Sequence, residues 1–88
     1  MKLTQRHARI LRLFGKNLKI ARARRYTSAQ KFAERLGLEP HTYRTYERGT
    51  SEPNFETLTR ICEELGVTPN ELLPAASGQQ RPSQAASA

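Results

Sequence analysis

The segment SAQKFAERLGLEPHTYRTYERG at residues 28–49 constrains the fold most, because it carries the signals for two helices and a tight turn between them. Ser28 is a favourable N-cap, since its hydroxyl can accept a hydrogen bond from an amide that the first helical turn leaves unpaired. Gly37 suits the left-handed residue that ends such a helix, and Pro40 suits the first position of the next one. The pattern predicts one helix that ends before Gly37 and a second that runs from Pro40 to Arg48 and is stopped by Gly49.

Helical spacing divides each of these helices into an inner and an outer face. The predicted inner-face residues are Phe32, Ala33 and Leu36 on the first helix and Tyr43, Tyr46 and Glu47 on the second. The outer stripe of the second helix carries hydrogen-bond donors, two arginines and no carboxylate, at His41, Arg44, Thr45 and Arg48. Two helices joined by a short turn, with such side chains projecting from the second, are how a helix-turn-helix reaches into the major groove of DNA.

Positive charge is concentrated in the N-terminal part of the chain. Residues 1–25 hold nine Lys or Arg and no acid, whereas residues 53–73 hold one base and four acids, within a net charge of +7. A basic end beside a mildly acidic one suits orientation on a polyanion. The charge distribution favours nucleic acid as the partner, and solubility alone or an anionic membrane surface are the alternatives.

Two readings are open for the first 13 residues. Ile10, Phe14 and Leu18 keep helical spacing, which predicts a single helix over about residues 4–25. Gly15 weakens this prediction, because glycine inside a helix costs about 1 kcal/mol relative to alanine. A flexible basic arm ahead of a shorter helix is the alternative.

Two further helices are predicted in the C-terminal half. Asn54 is expected to cap a helix whose apolar core stripe comprises Phe55, Leu58, Ile61, Cys62 and Leu65. Thr68 and Glu71 form a capping box for a short last helix that contains Leu72 and Leu73. Residues 74–88 contain almost nothing apolar beyond alanine, and we expect them to be disordered.

The segments AERLGL, YERG and EPNFETLTRICEELGVTPNELL resemble the Cro/C1-type (XRE) helix-turn-helix domain of phage and bacterial repressors. The resemblance covers residues 14–73 and implies an all-α fold, a compact five-helix lambda-repressor-like DNA-binding domain. Residues 1–13 then form a basic N-terminal extension, helical or an arm, and residues 74–88 a disordered tail. The resemblance also implies an ion pair between Arg22 and Glu47 that ties the first helix to the recognition helix.

Together, the resemblance and the outer stripe predict a sequence-specific regulator of transcription, a dimeric repressor on a two-fold operator in double-stranded DNA. Arg44 is the strongest candidate base reader, because a guanidinium can make two hydrogen bonds to guanine O6 and N7. The predicted base-reading residues are His41, Thr42, Arg44 and Thr45. The predicted phosphate-binding residues are Ser28, Gln30, Arg48, Thr50 and Asn54. Sequence-independent contacts to DNA are predicted for Lys2, Arg6, Arg9 and Arg12.

Other classes of protein find little support in the sequence. Two histidines and one cysteine lack metal-ligand spacing, and no glycine-rich phosphate loop is present, so we predict no enzyme activity, no cofactor and no metal. Arg9 and Arg12 interrupt what would be the apolar part of a signal peptide, which favours a cytoplasmic, nucleoid-associated protein and no membrane partner. The antitoxin of a toxin–antitoxin pair is an alternative, and so is a protein-binding adaptor, although an adaptor should expose more apolar anchors.

Overall fold

The computed structural model describes residues 4–74, which form five helices and no strand. The helices are α1 (Gln5–Ala23), α2 (Ala29–Leu36), α3 (Pro40–Arg48), α4 (Phe55–Leu65) and α5 (Pro69–Leu72). The predicted all-α fold with a helix-turn-helix is therefore confirmed, with α2 and α3 as its two helices. Lys2 and the predicted tail after Pro74 lie outside the described residues.

The predicted caps fix where the helices begin. The Ser28 hydroxyl accepts from the Lys31 amide at 3.1 Å, and the Asn54 side-chain oxygen accepts from the Thr57 amide at 2.8 Å. Glu39 makes no side-chain cap hydrogen bond, and Pro40 instead begins α3 with the backbone φ that a first helical residue needs. Local chemistry thus sets the length of the turn between α2 and α3.

The N-terminal extension is helical from its fifth residue. One uninterrupted helix, α1, runs across the predicted boundary between residues 13 and 14. Its N-terminal half belongs to the folded core, since Leu11 is only 4% exposed. Of the two readings left open by the sequence, residues 5–13 therefore follow the helical one.

Gly15 is tolerated inside α1 because α3 passes so close to it. A Cβ atom at this position would lie 2.5 Å from the Glu47 carbonyl oxygen and 2.7 Å from that of Tyr46. Gly49, which ends α3 with a φ of +76°, lies equally close, since its Cβ would sit 2.8 Å from the Arg12 Cα. The two backbones touch without intervening side chains, so α1 directly fixes the C-terminal turn of α3.

The core lies between α1, the helix-turn-helix and α4. Its fully buried side chains include Leu18, Phe32, Tyr43, Ile61 and Leu72. The rings of Phe32 and Tyr43 pack edge to face with centroids 5.3 Å apart, which holds α2 and α3 at a fixed angle. The predicted inner-face residues of both helices are thus confirmed.

One predicted core residue is wrong. Phe55 is 85% exposed, while Ile61, Cys62 and Leu65 of the same stripe are buried and Leu58 is half-buried. Phe55 occupies the first turn of α4 at the edge of the stripe, where none of the other helices within residues 4–74 covers it. The sequence predicts a last helix that contains both Leu72 and Leu73, whereas α5 ends at Leu72, which is buried, and Leu73 just beyond it is 41% exposed.

Candidate nucleic-acid interface

The inner face of α3 anchors the helix to the rest of the fold. Tyr43 and Tyr46 are buried, and their rings pack edge to face with centroids 6.3 Å apart. The Tyr43 hydroxyl donates to Glu47 Oε2 at 2.6 Å. Burial and this hydrogen bond together raise the pKa of Tyr43 well above its usual value, because both favour the neutral phenol that donates to the carboxylate. Apolar packing and a charge-assisted hydrogen bond therefore both hold the inner face of α3 against the rest of the fold.

The predicted ion pair between Arg22 and Glu47 is present in bidentate form. Arg22 Nε lies 2.9 Å from Glu47 Oε2, and Arg22 Nη2 lies 3.1 Å from Glu47 Oε1. The remaining nitrogen, Nη1, donates to the carbonyl oxygens of Tyr26 and Thr27, both at 3.1 Å. The hydrogen bond with Glu47 raises the pKa of Arg22, which remains charged. One buried guanidinium thus joins α1, the turn before α2, and α3.

The outer face of α3 is open to solvent. His41, Thr42 and Arg44 are exposed, whereas Thr45 is half-buried. The Thr45 hydroxyl donates to the Thr42 carbonyl oxygen at 2.6 Å and is hydrogen-bonded to the Ser51 hydroxyl. A base contact from that hydroxyl would compete with these bonds, so Thr45 is the least available of the four predicted base readers.

A shallow depression beside α3 is lined by four cations and one carboxylate, of which Arg22 and Glu47 are paired with each other. Arg44 and Arg48 line it from α3, and Lys19 lines it from α1. None of the ion pairs formed within residues 4–74 involves any of the three. Lys19 was not among the residues predicted from the sequence to contact DNA. It could have been predicted, because it lies three residues before Arg22 on the same face of α1, and Arg22 was expected to contact α3.

The predicted phosphate-binding residues cluster at the N-termini of α2 and α4 and after α3. Ser28 and Asn54 use their side-chain oxygens as caps, which leaves the amide group of Asn54 as a donor. Gln30 is exposed and donates to Glu34 Oε2 at 3.3 Å. The Thr50 hydroxyl donates to the Thr45 carbonyl oxygen at 3.2 Å. These residues stay candidates, because each retains a polar group at the surface of the helix-turn-helix.

A protein-family model described as helix-turn-helix matches residues 18–72, well over half of the chain. The matched range begins within α1, contains α2 and α3 completely and ends with α5. The chain belongs to this helix-turn-helix family. The resemblance inferred from AERLGL, YERG and the segment after them is thereby confirmed.

Relatives of this helix-turn-helix protein carry regulatory names. An uncharacterized HTH-type transcriptional regulator, YonR, derived from the SPbeta prophage of Bacillus subtilis (strain 168), is 37% identical over 76% of this chain and 62% of its own length. The cryptic phage CTXphi transcriptional repressor RstR of Vibrio cholerae is 30% identical over 69% of this chain and 55% of its own length. The chain thus spans about three-fifths of the length of the curated relatives it matches.

A solved structure supports the helix-turn-helix fold independently of close sequence similarity. The solution structure of the SOS-response transcriptional repressor LexA from Eubacterium rectale superposes with a TM-score of 0.70. The superposition covers 92% of this chain and 83% of the other at 16% identity, so the two share a fold.

The basic N-terminal half of α1 precedes the matched helix-turn-helix region. Arg6, Arg9 and Arg12 are exposed along it, and the Arg12 backbone lies against Gly49 at the end of α3. His7 Nε2 lies 2.7 Å from Glu52 Oε1, which ties the extension to the loop after α3. None of the helices formed by residues 4–74 is long and apolar enough to cross a membrane.

Proposed function

We propose that the protein is a sequence-specific, double-stranded-DNA-binding regulator of transcription that acts as a repressor in the cytoplasm. The observation that carries the proposal is the outer face of α3. It presents Arg44 and Arg48, outside every ion pair of residues 4–74, on a helix whose other face is held by the buried pair of Arg22 and Glu47. A helix that enters the major groove needs this combination of free donors and a fixed axis.

Roles follow from the chemistry of each side chain. We assign Arg44 to a guanine edge, with His41, Thr42 and Thr45 around it on α3. The amides at the start of α2, together with Gln30, Arg48, Thr50 and Asn54, are assigned to phosphates, which would set the register of α3 on the duplex. The names of the phage-derived relatives support repression as the regulatory outcome.

We further propose that two copies bind one operator with two-fold symmetry. A single α3 reads only a few base pairs, and a pair of helices doubles the contacts without enlarging the domain. The half-sites should lie about 34–36 Å apart, one helical turn, so that both helices enter the major groove from the same side of the duplex.

Selection of bound duplexes from a random library tests both statements. We expect an enriched pseudo-palindrome whose half-sites are separated by about one helical turn. An enriched but asymmetric single site would contradict the two-fold arrangement while leaving sequence-specific binding intact. A library that remains random after several rounds, at a salt concentration where the protein binds, would contradict sequence-specific reading altogether.

A further inference from the structure

The Thr45 hydroxyl on α3 is engaged by other groups of the protein. It donates its single proton to the Thr42 carbonyl oxygen at 2.6 Å. Because that proton is already used, the hydrogen bond between the Thr45 and Ser51 hydroxyls takes its proton from Ser51, and Thr45 Oγ1 accepts it. The Thr45 hydroxyl therefore keeps one lone pair and cannot donate to a base while both hydrogen bonds remain.

The loop after α3 also holds the backbone of Thr45. The Thr45 carbonyl oxygen accepts from the Gly49 amide, from the Thr50 amide at 3.0 Å and from the Thr50 hydroxyl at 3.2 Å. The loop thus fixes residue 45 through its main chain and, by way of Ser51, through its side chain. Threonine in a helix divides between two χ1 rotamers, and the hydrogen bonds to Thr42 and Ser51 select one of them.

The methyl group is the part of the Thr45 side chain that remains for a partner. Oγ1 and Cγ2 are staggered substituents of the same Cβ atom, so the methyl points in a different direction from the hydroxyl. Thr45 is half-buried and belongs to the outer stripe of α3, one residue after Arg44 and four after His41. The outer face of α3 therefore offers a small apolar group beside its hydrogen-bond donors.

We propose that Thr45 reads a thymine through this methyl group, and that Ser51 is the positioning residue that keeps the hydroxyl turned away from the groove. The inference rests on the proposed sequence-specific binding to DNA. In the major groove, thymine is the base that presents a methyl group, at C5. A threonine methyl is one of the apolar groups that recognise it by contact. Such a contact breaks none of the hydrogen bonds that hold Thr45.

The same hydrogen bonds disfavour a polar contact from Thr45. Guanine offers acceptors, and a hydrogen bond to them would need the proton that Thr45 now gives to the Thr42 carbonyl oxygen. Adenine and cytosine offer amino donors, which would have to reach the remaining lone pair of an oxygen that already makes two hydrogen bonds. Thymine is thus the base whose recognition leaves the contacts inside the protein intact.

Replacement of thymidine by deoxyuridine is the direct test, because uracil has the hydrogen-bonding groups of thymine and lacks only the C5 methyl. Each thymine of a selected duplex is replaced in turn, and affinity is measured for the wild type, Thr45→Ser and Thr45→Val. The wild type should lose about fourfold at one thymine position, the factor that corresponds to one buried methyl group. Thr45→Ser lacks the methyl and should bind both duplexes equally. Thr45→Val keeps a methyl without the hydroxyl and should respond to uracil like the wild type.

Thr59→Ser is the matched control for removal of a threonine methyl. Thr59 is exposed on α4, and its hydroxyl also donates to a carbonyl oxygen one helical turn earlier, that of Phe55, at 2.8 Å. This variant should respond to uracil as the wild type does.

Ser51→Ala tests the positioning role. It leaves the Thr45 methyl in place but frees the hydroxyl to turn, so the response to uracil should be smaller than that of the wild type. A merely structural role of Ser51 would instead lower affinity for the thymine and uracil duplexes by the same factor.

The remaining outcomes contradict the inference in distinguishable ways. If the wild type tolerates uracil at every thymine of a selected site, no methyl is read, while sequence-specific binding stands. If Thr45→Ser keeps the response to uracil, another residue reads the methyl, and a loss of specific affinity in Thr45→Val would then assign the Thr45 hydroxyl to a base. If Ser51→Ala keeps the full response, Ser51 has no positioning role. If selection recovers no sequence, the proposed function fails and the assignment of a thymine fails with it.

Discussion

Arg22 Nε lies 2.9 Å from Glu47 Oε2, and both side chains are more than nine-tenths buried although α3 presents its opposite face to solvent. The pair joins the helix that carries most of the positive charge to the helix that carries the candidate base readers. A carboxylate and a guanidinium buried together hold their geometry because each satisfies the other's charge. The orientation of the candidate recognition helix therefore depends on a residue of α1.

Replacing Arg22 alone should lower the free energy of unfolding far more than replacing Arg22 and Glu47 together. Arg22→Met leaves the Glu47 carboxylate buried without a cation, and we expect a loss of about 3–5 kcal/mol in the free energy of unfolding. The double variant Arg22→Met, Glu47→Leu should recover part of this loss, because apolar replacement of a buried pair is often close to neutral. Denaturant titration of the wild type, the two single variants Arg22→Met and Glu47→Leu, and the double variant measures both effects. A double variant that loses the full sum of the single losses would contradict this account.

A second prediction concerns Gly15. Alanine normally stabilises a helix interior by about 1 kcal/mol relative to glycine. The Gly15→Ala methyl group would instead meet the Glu47 carbonyl oxygen at 2.5 Å, so we expect net destabilisation of about 1–3 kcal/mol. Ala8→Gly in the same helix is the control and should also destabilise, by about 1 kcal/mol. Thermal unfolding distinguishes the cases, and a higher midpoint for Gly15→Ala would show that α3 can move away from α1.

Much of this arrangement could be predicted from the sequence because its signals are local. Ser28, Asn54 and Pro40 mark helix starts through hydrogen bonds or backbone angles within one turn. The helical period alone places Tyr43 and Tyr46 on the inner face of α3 and Arg44 on its outer face. The pair of Arg22 and Glu47 could be expected because the chain resembles a family in which it recurs.

The misses arise where tertiary packing decides. Phe55 fits the α4 stripe by spacing, yet none of the helices that the structure describes packs over its ring. Lys19 lines the same depression as Arg44 only because α1 crosses α3 at the close contact made by Gly15. The Thr45 hydroxyl is hydrogen-bonded to the Ser51 hydroxyl because of the path that the loop after α3 takes. None of these three facts is encoded within one helical turn.

Arg44 and Arg48 should differ in how they contribute to binding. We expect Arg44→Ala to lower affinity for the selected site by about 1–3 kcal/mol and to relax the preference at one position of each half-site. Arg48→Ala, the matched arginine on the same helix, should weaken binding to selected and random duplexes by similar factors. Fluorescence anisotropy with both duplexes measures the difference. Equal losses on both duplexes for Arg44→Ala would mean that Arg44 contacts only phosphate.

Alkaline pH should destabilise the fold through Tyr43. The pKa of this phenol is raised from its ordinary value of 10.0 by burial and by its hydrogen bond to Glu47. The unfolded chain ionises near pH 10 while folded Tyr43 stays protonated, so its contribution is complete below about pH 10 and is lost as pH rises from there toward the folded pKa. Unfolding measured from pH 8 to 11 should show a smaller decline for Tyr43→Phe than for the wild type. Identical declines would mean that Tyr43 ionises freely in the fold.

The arginines ahead of the matched region should act through counterion release. Arg6, Arg9 and Arg12 are exposed on α1, and no carboxylate of residues 4–74 forms an ion pair with them. Each phosphate that such a cation neutralises adds about 0.9 to the magnitude of the slope of log K against log salt. The triple variant with glutamine at these positions should therefore flatten the slope and weaken binding to selected and random duplexes by similar factors. Its base preference should survive, because counterion release does not depend on sequence.

A matched control separates this effect from net charge. Arg24 and Arg25 lie at the other end of α1, beside the turn between α4 and α5, where Arg25 approaches Gly66 and Arg24 lies near Val67. Glutamine at both positions also removes positive charge, but away from α3, and we expect a nearly unchanged salt slope. An unchanged slope for the triple variant as well would mean that the N-terminal half of α1 does not reach the phosphates. If thermal unfolding shows that the triple variant is as stable as the wild type, the N-terminal half of α1 would then contribute through packing alone, by the contact of Leu11 and Arg12 with the end of α3.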